Sequence, residues 1–151
     1  MESSTRVLIT GSRFVTRKAL GVDNYREARQ IIWDALFATQ DEFGHITVVN
    51  GDAAGADHIA KLWAEGECDR TDMAAPENHP ADWKQYGKSA GFRRNAEMVN
   101  LGARVCLGFP VLSVDSKGTR MAMRLAGEAG IEVREFGLDF PVIDDAWERT
   151  Y

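Results

Sequence analysis

Apolar residues recur in two rhythms along this chain of 151 residues, and the two rhythms take turns. Short apolar runs occupy residues 6–10, 46–50 and 104–109, and an alternating apolar and charged stretch at 131–136 marks a fifth strand. Runs of that length bounded by turn residues predict strands buried on both faces. A weaker run with polar insertions, residues 69–75, predicts one further strand. Helical spacing fills the intervals. Ala28, Ile31, Ile32, Ala35, Leu36 and Thr39 form a stripe in a helix starting near Asn24 or Tyr25 and closed by Gly44. Ala56, Ile59, Ala60, Trp63 and Ala64 form a second, ended by Gly66. Phe92, Ala96 and Val99 mark the inner side of a third, over residues 92–101 with Gly102 as its stop. Met121, Ala122, Leu125, Ala126 and Ala129 mark a fourth, stopped by Gly130.

Strands that alternate with helices predict a parallel sheet of about five strands with helices on both faces. Residues 1–136 form this single domain, and residues 137–151 an acidic, aromatic tail that the pattern does not place. Two connections are long. Residues 12–23 are one, and loops of that length are often functional. Residues 76–91, with two prolines and two glycines, read as an irregular segment or lid carrying Trp83 and Tyr86. In such sheets ligands bind beyond the carboxyl ends of the strands. The turns at 11–13, 51–57 and 113–119 each follow a strand, so all three gather at one edge of the sheet.

Composition narrows the function classes. The fractions, 44% hydrophobic and 27% charged, fit one globular core. Net charge is -5, so a general grip on nucleic-acid backbone is not expected, although Lys84, Lys88, Arg93 and Arg94 lie close together. No apolar run is long enough for a membrane span, and the first residues lack a signal core, which points to the cytoplasm. Cys68 and Cys106 have no metal-ligand spacing, and neither do His45, His58 and His79. No metal or cofactor is expected.

The turns carry the candidate chemistry. Gly51, Asp52, Gly55 and Asp57 lie where a strand hands over to a helix, and the free N–H groups and dipole of a helix start favour an anion, most often a phosphate. The same aspartates could equally stabilise the helix start themselves. Gly11, Ser12 and Arg13 add a turn, a hydroxyl and a cation. Arg93, Arg94 and Asn95 open a helix, where cations are disfavoured unless they face an anion. Ser116, Lys117, Gly118 and Thr119 offer hydroxyls, an ammonium and a permissive glycine at another helix start, with a plain N-cap by Ser116 as the alternative. Trp83 and Tyr86 are placed to stack on a base or to cover the core.

Taken in order, Leu8-Ile9-Thr10-Gly11-Ser12-Arg13, Asn50-Gly51-Asp52-Ala53-Ala54-Gly55-Ala56-Asp57, Ala81-Asp82-Trp83, Gly91-Phe92-Arg93-Arg94-Asn95 and Lys117-Gly118-Thr119 resemble the SLOG superfamily. That group unites the DNA-processing protein DprA with the lonely-guy phosphoribohydrolases, and the chain is most similar to its YspA-like branch, over residues 6–136. The resemblance implies a three-layer Rossmann-like domain with a nucleotide or nucleotide-sugar ligand at the strand ends. Lonely-guy enzymes cleave an N-glycosidic bond with an arginine in an R-K-x-E-M segment and a glutamate after P-G-G-x-G-T. Arg94-Asn95-Ala96-Glu97-Met98 matches the first segment, which implies Arg94, with Glu97, as catalytic residues of any such activity. In the second, Val111-Leu112 replaces the double glycine after Pro110, and the glutamate position is Ala122. Hydrolysis would then need a substitute carboxylate among Asp52, Asp57, Glu97 and Asp115.

These readings converge on binding of a nucleotide-derived ligand, a nucleoside phosphate or an ADP-ribose or NAD derivative, in a sensing or sequestering role. Hydrolysis of nucleoside monophosphates is the first alternative, and single-stranded DNA binding, as in DprA-like proteins, the second. A structural dimer module is the reading without a ligand. A homo-oligomer, a dimer or larger, is the expected assembly, and no membrane or nucleic-acid partner is expected.

Overall fold

A computed structural model of the protein describes residues 3–144. Five parallel strands form one sheet in the order β3-β2-β1-β4-β5: β1 (Thr5–Gly11), β2 (Ile46–Asn50), β3 (Ala74–Asn78), β4 (Val105–Phe109) and β5 (Glu132–Glu135). The helices are α1 (Arg17–Leu20), α2 (Val22–Phe43), α3 (Ala56–Thr71), α4 (Trp83–Tyr86), α5 (Ala90–Asn100) and α6 (Lys117–Glu128), with a 3-10 turn at Gly87–Ser89. The sheet is layered between helices as the alternation predicts. Successive side chains of a strand point to opposite faces. Val7, Ile9, Val48 and Leu107 therefore pack with Ile32 and Leu36 of α2 and Ile59 and Trp63 of α3. Leu8, Val49 and Cys106 pack on the other side with Met98 and Val99 of α5 and Met123 and Ala126 of α6. Among the described residues no helix is long and apolar enough to cross a membrane.

Four local expectations are corrected. Helix α3 passes through Gly66 and runs to Thr71, where Asp72 takes the left-handed conformation (φ 57°). The buried stripe of Ala60, Trp63 and Ala64 continues to Glu67, whose carboxylate accepts from Arg70 and Gln40, so the packing outweighs the roughly 1 kcal/mol that a glycine costs inside a helix. The third strand consequently lies at 74–78 rather than 69–75. Pro76 is tolerated because β3 is an edge strand, with one side that feeds no ladder. The connection 12–23 is not an open loop, because it contains α1 and buries Phe14, Val15, Ala19 and Leu20. Segment 76–91 is likewise mostly regular, although α4 and the 3-10 turn bury no side chain.

The tail is anchored as far as it is described. Leu138 is fully buried and forms a parallel bridge with Val111, Phe140 and Val142 pack on the larger core, and the Ile143 amide donates to the Ala19 carbonyl at 2.7 Å. Residues 145–151 lie outside the described residues.

Candidate functional site

The connection leaving β1 runs to one face of the sheet and that leaving β4 to the other, so the carboxyl ends of these neighbouring strands diverge. A cavity of about 420 Å³ opens there. The β1 end supplies Gly11, Ser12 and Arg13, α3 supplies Asp57, α4 supplies Trp83, and the start of α6 supplies Ser116, Lys117, Gly118 and Thr119. Helix α5 presents Gly91, Arg94, Asn95 and Met98, which are one helical stripe at i, i+3, i+4 and i+7.

Two glycines let the β1 and β2 turns interlock. A Cβ on Gly55 (φ 84°) would lie 2.2 Å from the Ser12 carbonyl oxygen, and one on Gly11 would lie 2.4 Å from the Ala56 Cβ. The Ala56 amide donates to that same Ser12 carbonyl at 3.1 Å, and the Ser12 hydroxyl accepts from the Phe14 amide at 3.1 Å.

The turn 51–57 does not wait for an external anion. Asp57, 6% exposed, accepts from the Gly51 amide at 3.0 Å through Oδ2 and also from the Ala53 amide, so the carboxylate satisfying this turn is its own. Asp57 Oδ1 is buried without a hydrogen-bond partner. Burial pushes the Asp57 carboxyl up to about 6, against the opposing pull of Arg94, the Gly51 and Ala53 amides and Arg13. The Arg94 guanidinium donates to the Gly51 carbonyl through Nη1 and to Asn95 Oδ1 through Nε at 2.8 Å. Burial and the nearby Arg13 hold Arg94 below its usual range, while Asp57 and Asp52 act in the opposite sense. Asn95 Nδ2 in turn donates to the Gly118 carbonyl at 3.4 Å, so one amide side chain ties Arg94 to the start of α6.

Ser116 occupies the N-cap position of α6 that the sequence offered, but not the capping role. Its side chain makes no capping bond, and its Oγ is buried with no partner at the mouth of α6. The first amides of a helix have no partner within the helix. Lys117, paired at 3.9 Å with Asp115, is largely exposed. Across the cavity the Arg13 guanidinium lies 5.5 Å from the Trp83 ring. Trp83 and Tyr86 are 45% and 40% exposed and do not cover the core.

Several expected residues are not brought to the cavity. Asp52 (φ 53°) accepts from Lys61 at 3.0 Å instead. Arg93 is exposed, stacks over Tyr86 at 4.4 Å and donates to Ser89, and neither Arg93 nor Tyr86 lines the site. Both arginines also sit one turn inside α5, which begins at Ala90, and not at its opening where the dipole is felt most. Glu97 is exposed and away from the cavity. Gly51 and Gly55 act behind the wall, the first through its bonds to Asp57 and Arg94 and the second through the interlock.

Lys88, Phe92, Met98 and Phe14 line the site and were not singled out for it, and Asp115, named only as a substitute carboxylate, lines it too. Phe92, expected inside the core, is 49% exposed. The signal for this wall was present as the 91/94/95/98 stripe, one step out of phase with the stripe assumed. Arg13, Lys88, Arg94 and Lys117 outnumber Asp57 and Asp115 in the lining, although the chain is acidic overall. Among the described residues no cluster of three or more His, Cys, Asp or Glu side chains could hold a metal ion.

The chain is 46% identical over 134 residues to the gene 61 protein of Mycobacterium phage D29, covering 87% of this chain and 96% of that one. No solved structure matches it significantly. The model of the YspA, cpYpsA-related SLOG family matches residues 5–86, a span that runs from β1 through both interlocked turns to α4. By that match and that relative, the chain belongs to the YspA, cpYpsA-related SLOG family, whose members are associated with binding or processing nucleotide-related ligands.

Proposed function

We propose that this protein binds a nucleotide-derived ligand, a nucleoside phosphate or an ADP-ribose or NAD derivative, and senses or sequesters it. The observation that carries the reading is Ser116, a buried hydroxyl without a partner at the start of a helix, in a cavity where cations outnumber carboxylates. A phosphate there would accept from Ser116, Thr119 and the first amides of α6, with Arg94 opposite. The base would lie against Trp83, and Asp57, rather than the Lys61-bound Asp52, would meet a ribose hydroxyl. Thermal shift of the full chain against a nucleotide panel, beside Arg94→Ala, tests this. A shift confined to one nucleotide class and lost in the variant supports it. No shift from any nucleotide favours a structural or protein-partner role instead.

One observation favours hydrolysis as a second reading. Asp57 is a carboxyl held near 6 with an unpartnered oxygen at the cavity, where a general acid for N-glycosidic cleavage would sit. Ala122, at the family's glutamate position, is buried and offers no carboxylate. Chromatography of the bound mixture over time decides between the readings, because only hydrolysis releases free base and ribose phosphate, and Asp57→Asn would stop it.

A further inference from the structure

A second concave surface lies between α2 and α3 and shares no lining residue with the strand-end cavity. This groove, about 460 Å³, falls in the size range of small-molecule sites. Its walls are aromatic: Tyr25, Trp33, Phe37 and Trp63, with Leu62 beside them. Phe37 and Trp63 meet edge to face at 5.2 Å. Phe37 and Leu62 are 42% and 51% exposed lips, while Trp63 is only 6% exposed.

The charged groups of the groove are all of one sign. Arg17, Arg29 and Arg70 line it, and no carboxylate does. The Arg17 guanidinium lies 4.5 Å over the Tyr25 ring and that of Arg29 lies 4.5 Å over Trp33. Stacking orients such a group by its face and leaves its N–H edge for a planar acceptor. Two donors here are already without one, since Arg29 Nε and Trp63 Nε1 are both buried with no hydrogen-bond partner. Buried donors are almost always paired, so this pair calls for an acceptor. With Arg70 already paired to Glu67, the two ring-stacked guanidiniums and two unmet N–H groups against flat apolar walls describe a site for a flat apolar body that bears an anion.

We propose that the groove between α2 and α3 is a second binding site that takes a small aromatic carboxylate, its ring against Trp33, Phe37 and Trp63 and its carboxylate on Arg29 and Trp63. The site does not depend on nucleotide binding at the strand ends.

Calorimetric titration of the full chain with naphthalene-2-carboxylate and with the neutral naphthalene-2-carboxamide tests it. The acid should bind at least tenfold more tightly than the amide. Arg29→Gln should erase that difference by weakening only the acid. Leu62→Glu, at an exposed lip where folding is not at stake, should weaken the acid at least tenfold. Arg94→Ala, in the other cavity, should change neither. Equal binding of acid and amide, no binding up to the solubility limit, or an acid affinity indifferent to Arg29→Gln overturns the proposal. So does a Trp147→Ala chain that takes up the probe more tightly, because the groove would then belong to the chain's own C-terminal segment.

Discussion

The strand-end cavity and the α2–α3 groove are nearly equal in volume and opposite in construction. The cavity is made where backbone turns meet, it carries charges of both signs, and its β2 turn has its amides answered by Asp57. The groove is made by side chains projecting from two regular helices, it carries cations only, and two of its donors are unanswered. Topology fixes a concavity of the first kind, because any doubly wound sheet parts at its switch point. Only the choice of side chains fixes one of the second kind. The two should therefore respond differently to substitution.

The largest expected contrast is in stability. Gly55→Ala forces a methyl against the Ser12 carbonyl at a φ of 84° and should cost about 3 kcal/mol or more, read as the midpoint of denaturant unfolding. Leu62→Ala at the groove's exposed lip should cost less than about 1 kcal/mol. Comparable losses from both would end the distinction between a backbone site and a side-chain site.

A pH scan should sharpen it next. With the Asp57 carboxyl raised from 3.8 to about 6, the folded chain holds a proton there that the unfolded chain has released. Its contribution is complete below the unfolded value and is lost as pH rises through about 6, a decline of up to about 3 kcal/mol. Asp57→Asn should flatten that decline, and Arg29→Gln should leave it in place, since no carboxylate lines the groove.

Ligand effects follow. At a hundred times its dissociation constant a nucleotide should add about 2.7 kcal/mol of stability, and Arg94→Ala should remove most of it. Trp83→Ala should lower nucleotide affinity by up to about tenfold, roughly 1.4 kcal/mol, with the unliganded melting temperature nearly unchanged because the indole is half exposed. A large drop in unliganded stability would instead make Trp83 a packing residue.

The sequence showed much of the fold because the central strands are unbroken apolar runs that turn residues close. It misled at Gly66 and Pro76, where local propensity argued for a break that tertiary context overrode: a buried, paired Glu67 carried α3 onward, and an edge position accepted the proline. Asp57, Arg94 and Ser116 were legible as site candidates because each follows a strand or opens a helix. Their roles were not legible. Whether Asp57 faces a ligand or answers its own turn depends on backbone geometry, and Ser116's missing partner is visible only in three dimensions. Phe92 was assigned to the core because one step of phase along α5 exchanges core for cavity. The α2–α3 groove escaped notice because Trp33, Phe37 and Trp63 read as ordinary members of helical stripes.

The contact of Gly55 with Ser12 and of Gly11 with Ala56 also bears on how a lineage can change its ligand. That wall has no side chain to exchange and no room to admit one, so it is closed to gradual modification. Freedom to vary lies on the opposite flank, in Trp83, Lys88 and Phe92, which line the cavity with exposed side chains. New ligand preferences in descendants of this chain should therefore be written in α4 and α5, while the interlocked turns pass unaltered from one specificity to the next.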